Sequence, residues 1–271
     1  MYLYGLRLSG LQRSNALIGE RSRTWHEVRL ERAVEDLPSS TSVELGEQRA
    51  VLRASGHSTV TVAREPLGVV VSAPADVPES VVVHPLMAFV GAAIARWTGR
   101  SAFHAAAVLV GDRAWVLLAE PGGGKSTLAS ALAARGHAVL ADDLAVVDRH
   151  MVLAGPRSCD LRTEAAEELG RGVALESLVG RERWREELAP APFEAPLGGF
   201  IELGWADERR LSHADGRDRL TALARNEALG AGPTERTSFL DLLDVPAYRL
   251  ERPASWDGLA SVVDLVEDAA R

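Results

Sequence analysis

Residues 105–136, AAAVLVGDRAWVLLAEPGGGKSTLASALAARG, constrain the fold more than any other stretch of the chain. Two apolar runs, AAAVLV and RAWVLL, are separated only by Gly111 and Asp112. That is the spacing of a two-residue β-hairpin, with glycine able to supply the positive φ that such a turn requires. The second strand runs into three consecutive glycines, Gly122–Gly124, and STLASALAAR then reads as a helix stopped by Gly136. A strand, a glycine loop and a helix in direct succession aim backbone N–H groups and the positive helix end at one point, which suits a phosphate.

Residues 119–126 fit the phosphate-loop spacing, with Ala119 where the first glycine usually stands. The glycines let the backbone approach phosphate oxygens without a Cβ in the way. Lys125 is the only lysine, and the other 29 of the 30 basic residues are arginine. A slender ammonium reaches β and γ oxygens where the planar arginine fork would be too bulky and too demanding in geometry. Ser126 adds a hydroxyl suited to Mg²⁺. The expectation from these residues is a nucleotide-binding site with a place for Mg²⁺.

Two neighbours follow from chain geometry. Across a two-residue hairpin at Gly111-Asp112, His104 falls opposite Ala119 and so stands beside the bound phosphates. Asp142 and Asp143 follow the strand HAVLA, which returns after the loop helix. βαβ logic places them at the carboxyl end of a strand adjacent to the loop strand. One carboxylate can serve Mg²⁺; the other, pressed against a like charge, would have a raised pKa and could act as a general base.

The rest of the chain bounds the answer. Its 271 residues, 46% hydrophobic and 25% charged, suit a soluble globular protein, and the net charge of −8 offers no sequence-wide field for nucleic acid. A single cysteine, Cys159, excludes an internal disulfide. No signal peptide is evident, and the apolar run 85–95 is too short for a membrane span, so a cytoplasmic location is expected. Residues 1–78 read as a β-rich domain, with PADVPES as the linker to a second domain over 79–271. A helix is expected from 85 to 98, with Pro85 in its first turn. Residues 163–188 have helical composition, APLGGFIELGW and PAYRLERP read as strands, and DGRDRLTALARNEAL as a helix. A closing helix follows, with Ser255 as a possible N-cap. Arg157 and Arg162 could contact phosphate or an acidic substrate but are read by default as solvated surface arginines, and the tryptophans as packing residues.

His104 on its hairpin, AEPGGGKST, RGHAVLADD and their spacings resemble the catalytic core of HPr kinase/phosphorylase. They are still more similar to the HPr-kinase-like serine kinases of ribosomal peptide biosynthesis, including lasso-peptide kinases. The resemblance is strong over about 84–160 and weaker beyond. It implies an α/β fold with a mixed sheet, a P-loop-containing, phosphoenolpyruvate-carboxykinase-like core carrying a different, β-rich N-terminal domain. It further implies that Gly122, Gly123, Gly124 and Lys125 bind ATP phosphates, with Ser126 and Thr127 continuing the nucleotide site. Ser126 and Asp142 would serve Mg²⁺, Asp143 would deprotonate the acceptor hydroxyl, and His104 would lie by the transferred group. The implied partner is a peptide or small protein bearing a serine. The chain lacks the Gly-rich second signature of true HPr kinases, which counts against phosphorylase activity and against HPr as substrate.

Other classes fit less well. A GTPase guanine reader needs a second lysine that the chain does not have. LSGLQ at 8–12 is similar to an ABC-ATPase signature but precedes the loop instead of following it. Two alternatives stay open: a kinase of a small hydroxylated metabolite, such as a sugar or free serine, and an ATP-binding regulator that transfers nothing.

Overall fold

Short β-branched runs build the first of three sheets among the described residues. The computed structural model describes residues 2–10, 26–54, 57–175, 182–230 and 240–271. Its first strands are β1 (Tyr2–Leu3), β2 (Leu6–Ser9), β3 (His26–Val34), β4 (Ser42–Leu45), β5 (Arg49–Ala54), β6 (Ser58–Ala63) and β7 (Gly68–Ala73). They lie in the order β1-β2-β3-β7-β6-β5-β4. β3 is parallel to both β2 and β7, and the remaining pairs are antiparallel. In β6 every second residue is buried, the alternation expected of a sheet with one face packed.

That apolar face continues past residue 78. Leu6, Val28, Val60 and Val71 share one cluster with Met87, Val90 and Ile94 and with Val116 and Leu118 of the loop strand. Tyr4 is the wedge of the junction. Its ring is buried, and it occupies the space that a Cβ at Gly91 or at Gly155 would need.

Helix α1 (Met87–Trp97) begins later than the sequence suggests. Residues 82–86 form a wider turn broken at His84, whose φ of −149° and ψ of 120° are extended. The residue before a proline is crowded out of the helical region, so Pro85 precedes the helix instead of opening it. By length and composition Glu79–Trp97 could cross a membrane, yet most of it is buried inside the fold.

The second sheet carries the glycine loop of residues 122–124. Its strands begin with β8 (Ser101–Phe103), β9 (Ala105–Val110) and β10 (Arg113–Leu118). Helix α2 (Lys125–Ala134) and β11 (Ala138–Ala141) follow, then β12 (Ala145–Asp148) and β13 (Met151–Leu153). Next in the chain come β14 (Ser158–Leu161), helix α3 (Thr163–Leu169), β15 (Val173–Leu175) and β16 (Arg183–Glu187). The chain closes with β17 (Glu194–Trp205), β18 (Arg210–His213), helix α4 (Gly216–Arg225), β19 (Ala247–Arg252) and helix α5 (Leu259–Ala269). The sheet order is β11-β9-β10-β17-β13-β12-β8, with β19 on β17 and β18 on β19. Both parallel and antiparallel pairs occur, so the chain is a mixed α/β fold.

Three expectations are corrected here. β11 pairs with β9 and not with the loop strand, because β9 already occupies that side of β10. Among the described residues of the stretch 163–188, only 163–169 are helical; β15 and β16 instead join β14 in a three-stranded sheet. Cross-strand pairing, which places Asp160 opposite Arg185, overrides local helical composition there. The closing helix has Gly258, not Ser255, at its N-cap position. Residues 11–12 of LSGLQ lie outside the described residues.

Candidate active site

The hairpin pairs Val110 with Arg113 and runs to Ala105 opposite Leu118. The next positions along the two strands are His104 and Ala119. Gly111 takes a φ of +65° at the turn.

The loop then folds tightly enough to exclude side chains. Gly122 and Gly124 sit at φ +84° and +78°, and a Cβ on Gly123 would fall 2.6 Å from that of Ala119. Lys125 is buried and donates from Nζ to the carbonyl of Ala119 at 2.6 Å, which folds the ammonium back over the loop. Burial lowers its pKa, against the raising influence of Asp142, Asp143 and Glu120.

Ser126, in the first turn of α2, donates to Asp142 Oδ1 at 2.9 Å. Asp142 is 1% exposed, and its other oxygen accepts from the backbone N–H of Asp160 at 3.3 Å. Burial and the neighbouring Asp143 charge push its pKa up to about 6, against the lowering effects of His84, Cys159 and Ser126. Ser126 and Asp142 together offer hard oxygen donors. That matches Mg²⁺, which takes one or two protein oxygens and completes its shell with phosphates and water.

Asp143 behaves differently. It adopts a left-handed φ of +66°, a conformation that aspartate tolerates better than most residues, and its side chain is 34% exposed. Burial alone would raise its pKa, but the ion pair with His84, helped by His104 and Arg183, holds it down at about 2. The raised carboxylate is therefore Asp142, the one bonded to Ser126, and Asp143 is the ionised one.

His104 turns toward the same corner. Its Nδ1 lies 3.0 Å from the carbonyl of Asp143, and since a carbonyl only accepts, Nδ1 carries the proton. Its backbone N–H is held by the carbonyl of Asn226. His104, Lys125, Ser126, Asp142 and Asp143 thus meet at the carboxyl ends of β10 and β11. Thr127 follows Ser126 in the first turn of α2.

Three residues beyond the sequence expectations complete the site. His84 is buried, with Nε2 3.1 Å from Asp143 Oδ2 and 3.6 Å from Asp160 Oδ2. Burial opposes charge on this imidazole, but Asp143, Asp160 and Asp142 outweigh it and raise its pKa. Arg185 braces the group, donating to both oxygens of Asp160 at 2.7 and 2.8 Å and to the carbonyl of His84 at 2.8 Å. Arg252 donates to the carbonyl of Gly123 at 2.7 Å, and burial lowers its pKa to about 10. Arg162, one of the two arginines weighed above as a phosphate contact, lies beside the loop, 3.3 Å from where a Gly122 Cβ would sit. His84 was masked by its place next to an apparent helix start, and Arg252 by its place in an ordinary alternating strand.

Among solved structures, the HPr(Ser) kinase/phosphatase from Coxiella burnetii is similar at 13% identity and a TM-score of 0.31, over 63% of this chain and 93% of that one. No family model and no curated protein matches the chain. At that identity and TM-score the likeness carries no weight, and function has to be read from the site.

Proposed function

We propose that the chain is an ATP- and Mg²⁺-dependent kinase that transfers the γ-phosphoryl group to an aliphatic hydroxyl, a serine of a peptide or small protein. The observation that carries this is the pair Asp142 and Asp143 beside the glycine loop. One carboxylate is buried and bonded to Ser126, and the other is ionised and partly exposed. Pure nucleotide binding needs no second carboxylate at that place.

Each residue has a distinct task. The amides of Gly122–Gly124 and the N-terminus of α2 surround the phosphates, and Lys125 places its ammonium among them. Ser126 and Asp142 would hold Mg²⁺, which when bound offsets phosphate charge and aligns the transferred group. Asp143 orients the acceptor hydroxyl and takes its proton. Its low pKa keeps it ionised, and the task falls late in a loose transition state that relies chiefly on positioning. His104 donates from Nδ1 to the Asp143 carbonyl, which leaves Nε2 for the phosphoryl group. The exposed side of Asp143 faces solvent, which suits a hydroxyl carried on a chain. On the resemblance given above, that chain is a ribosomally made precursor peptide.

The test is mass spectrometry after incubation with Mg²⁺ and ATP, scoring the gain of one phosphate on serine-bearing peptides. Transfer to peptides that depends on Asp143 supports the proposal. Transfer only to sugars or free serine would move the substrate class to small metabolites, and tight ATP binding without any transfer would leave a regulator.

A further inference from the structure

Trp205 ends β17 on the opposite side of the phosphate loop from Asp142. In the sheet order β11-β9-β10-β17, the loop strand β10 lies between the acid-bearing strand β11 and the tryptophan-bearing strand β17. The indole is 51% exposed, one of the few large apolar side chains so placed among the described residues. It is also held in position. The guanidinium of Arg252 stacks on it at 4.3 Å from the ring centroid, and the same arginine is fixed to the carbonyl of Gly123. Its benzo edge borders the loop: a Cβ on Gly124 would lie 3.4 Å from Trp205 Cη2. Arg252 stacks on one face of the ring, and half of the residue's surface is still open to solvent beside the loop.

A nucleotide is an elongated molecule whose two ends need different surroundings. Its γ end must lie by Asp142 and Asp143 for transfer to occur, so its base end runs toward the other flank of the loop. There the chain presents a rigid aromatic plane. We propose that the exposed part of the Trp205 indole is the nucleobase platform of the site, with Arg252 as the residue that fixes it against the loop. This deepens the ATP reading above and rests on it. A base stacked on one exposed indole is recognised by its π-face and apolar area, so every purine triphosphate should gain from the contact.

The test compares the binding of Mg²⁺-loaded ATP and Mg²⁺-loaded inorganic tripolyphosphate by titration calorimetry. Wild-type protein should bind ATP more tightly than tripolyphosphate. Trp205→Ala should weaken ATP on the order of tenfold, leave tripolyphosphate unchanged, and melt within a few degrees of wild type. Trp205→Phe should recover most of the lost affinity, which a merely structural role would not predict in a ligand-selective way. Equal loss for both ligands, or no loss for either, overturns the platform. So does unchanged ATP binding with impaired peptide phosphorylation, which would assign the indole to the acceptor. If wild-type protein binds neither ligand, the nucleotide reading itself fails, a result distinct from all of these.

Discussion

His84 Nε2 lies 3.1 Å from Asp143 Oδ2, joining a buried imidazole from the turn before α1 to a partly exposed carboxylate. The pair sets the charge of both groups. His84 is raised from its ordinary 6.5 although burial opposes it, so its stabilising contribution is complete below that value and is lost as pH rises through the higher folded pKa. In magnesium-free buffer, the stability gap between wild type and His84→Asn should therefore shrink as pH climbs above neutral. Thermal melts across pH test this; a gap independent of pH would mean that the imidazole is not charged.

Asp143→Asn keeps the shape and removes the carboxylate proposed as the base. Phosphate transfer should fall by on the order of 10²-fold or more, the range for a lost general base, while ATP affinity stays close to wild type. Asp142→Asn should instead raise the Mg²⁺ concentration needed for half-maximal rate. Steady-state kinetics over a Mg²⁺ titration separate the two roles.

Arg185 is 9% exposed and holds both oxygens of Asp160 as well as the carbonyls of Ser80 and His84. Removing one partner of a buried ion pair strands the other charge. Arg185→Ala should cost roughly 3–5 kcal/mol of stability, measured by urea unfolding. A change within 0.5 kcal/mol would show the pair to be dispensable.

Gly124→Ala puts a side chain on a left-handed residue, at φ +78°, and drives its Cβ to 2.6 Å from Arg252 Nη2. The backbone strain alone is worth roughly 1–2 kcal/mol. The same change displaces Arg252 from the loop, so nucleotide affinity should fall together with the melting temperature.

Local pattern made some of this legible. The hairpin register follows from two residues between two apolar runs, and Leu118 does pair with Ala105. The loop, its helix and the strand before Asp142 are likewise written in adjacent residues. Long-range pairing was not legible. Nothing near HAVLA announces that β9 separates it from the loop strand, and nothing in 163–188 shows that Arg185 has a partner on β14. His84 and Arg252 were missed for a related reason: each owes its place to contacts with residues distant in sequence, while its own neighbourhood reads as an ordinary turn or strand.

Lys125 offers the most direct measurement. It is the only lysine, buried over the loop with its Nζ on the carbonyl of Ala119. Titration calorimetry of Mg²⁺-ATP against wild type and Lys125→Ala, with melting curves of both, tests whether this is a triphosphate site. The expected result is saturable binding by wild type and at least tenfold weaker binding by the variant, whose fold is retained. Equal affinity in the two folded proteins would contradict the assignment of the loop.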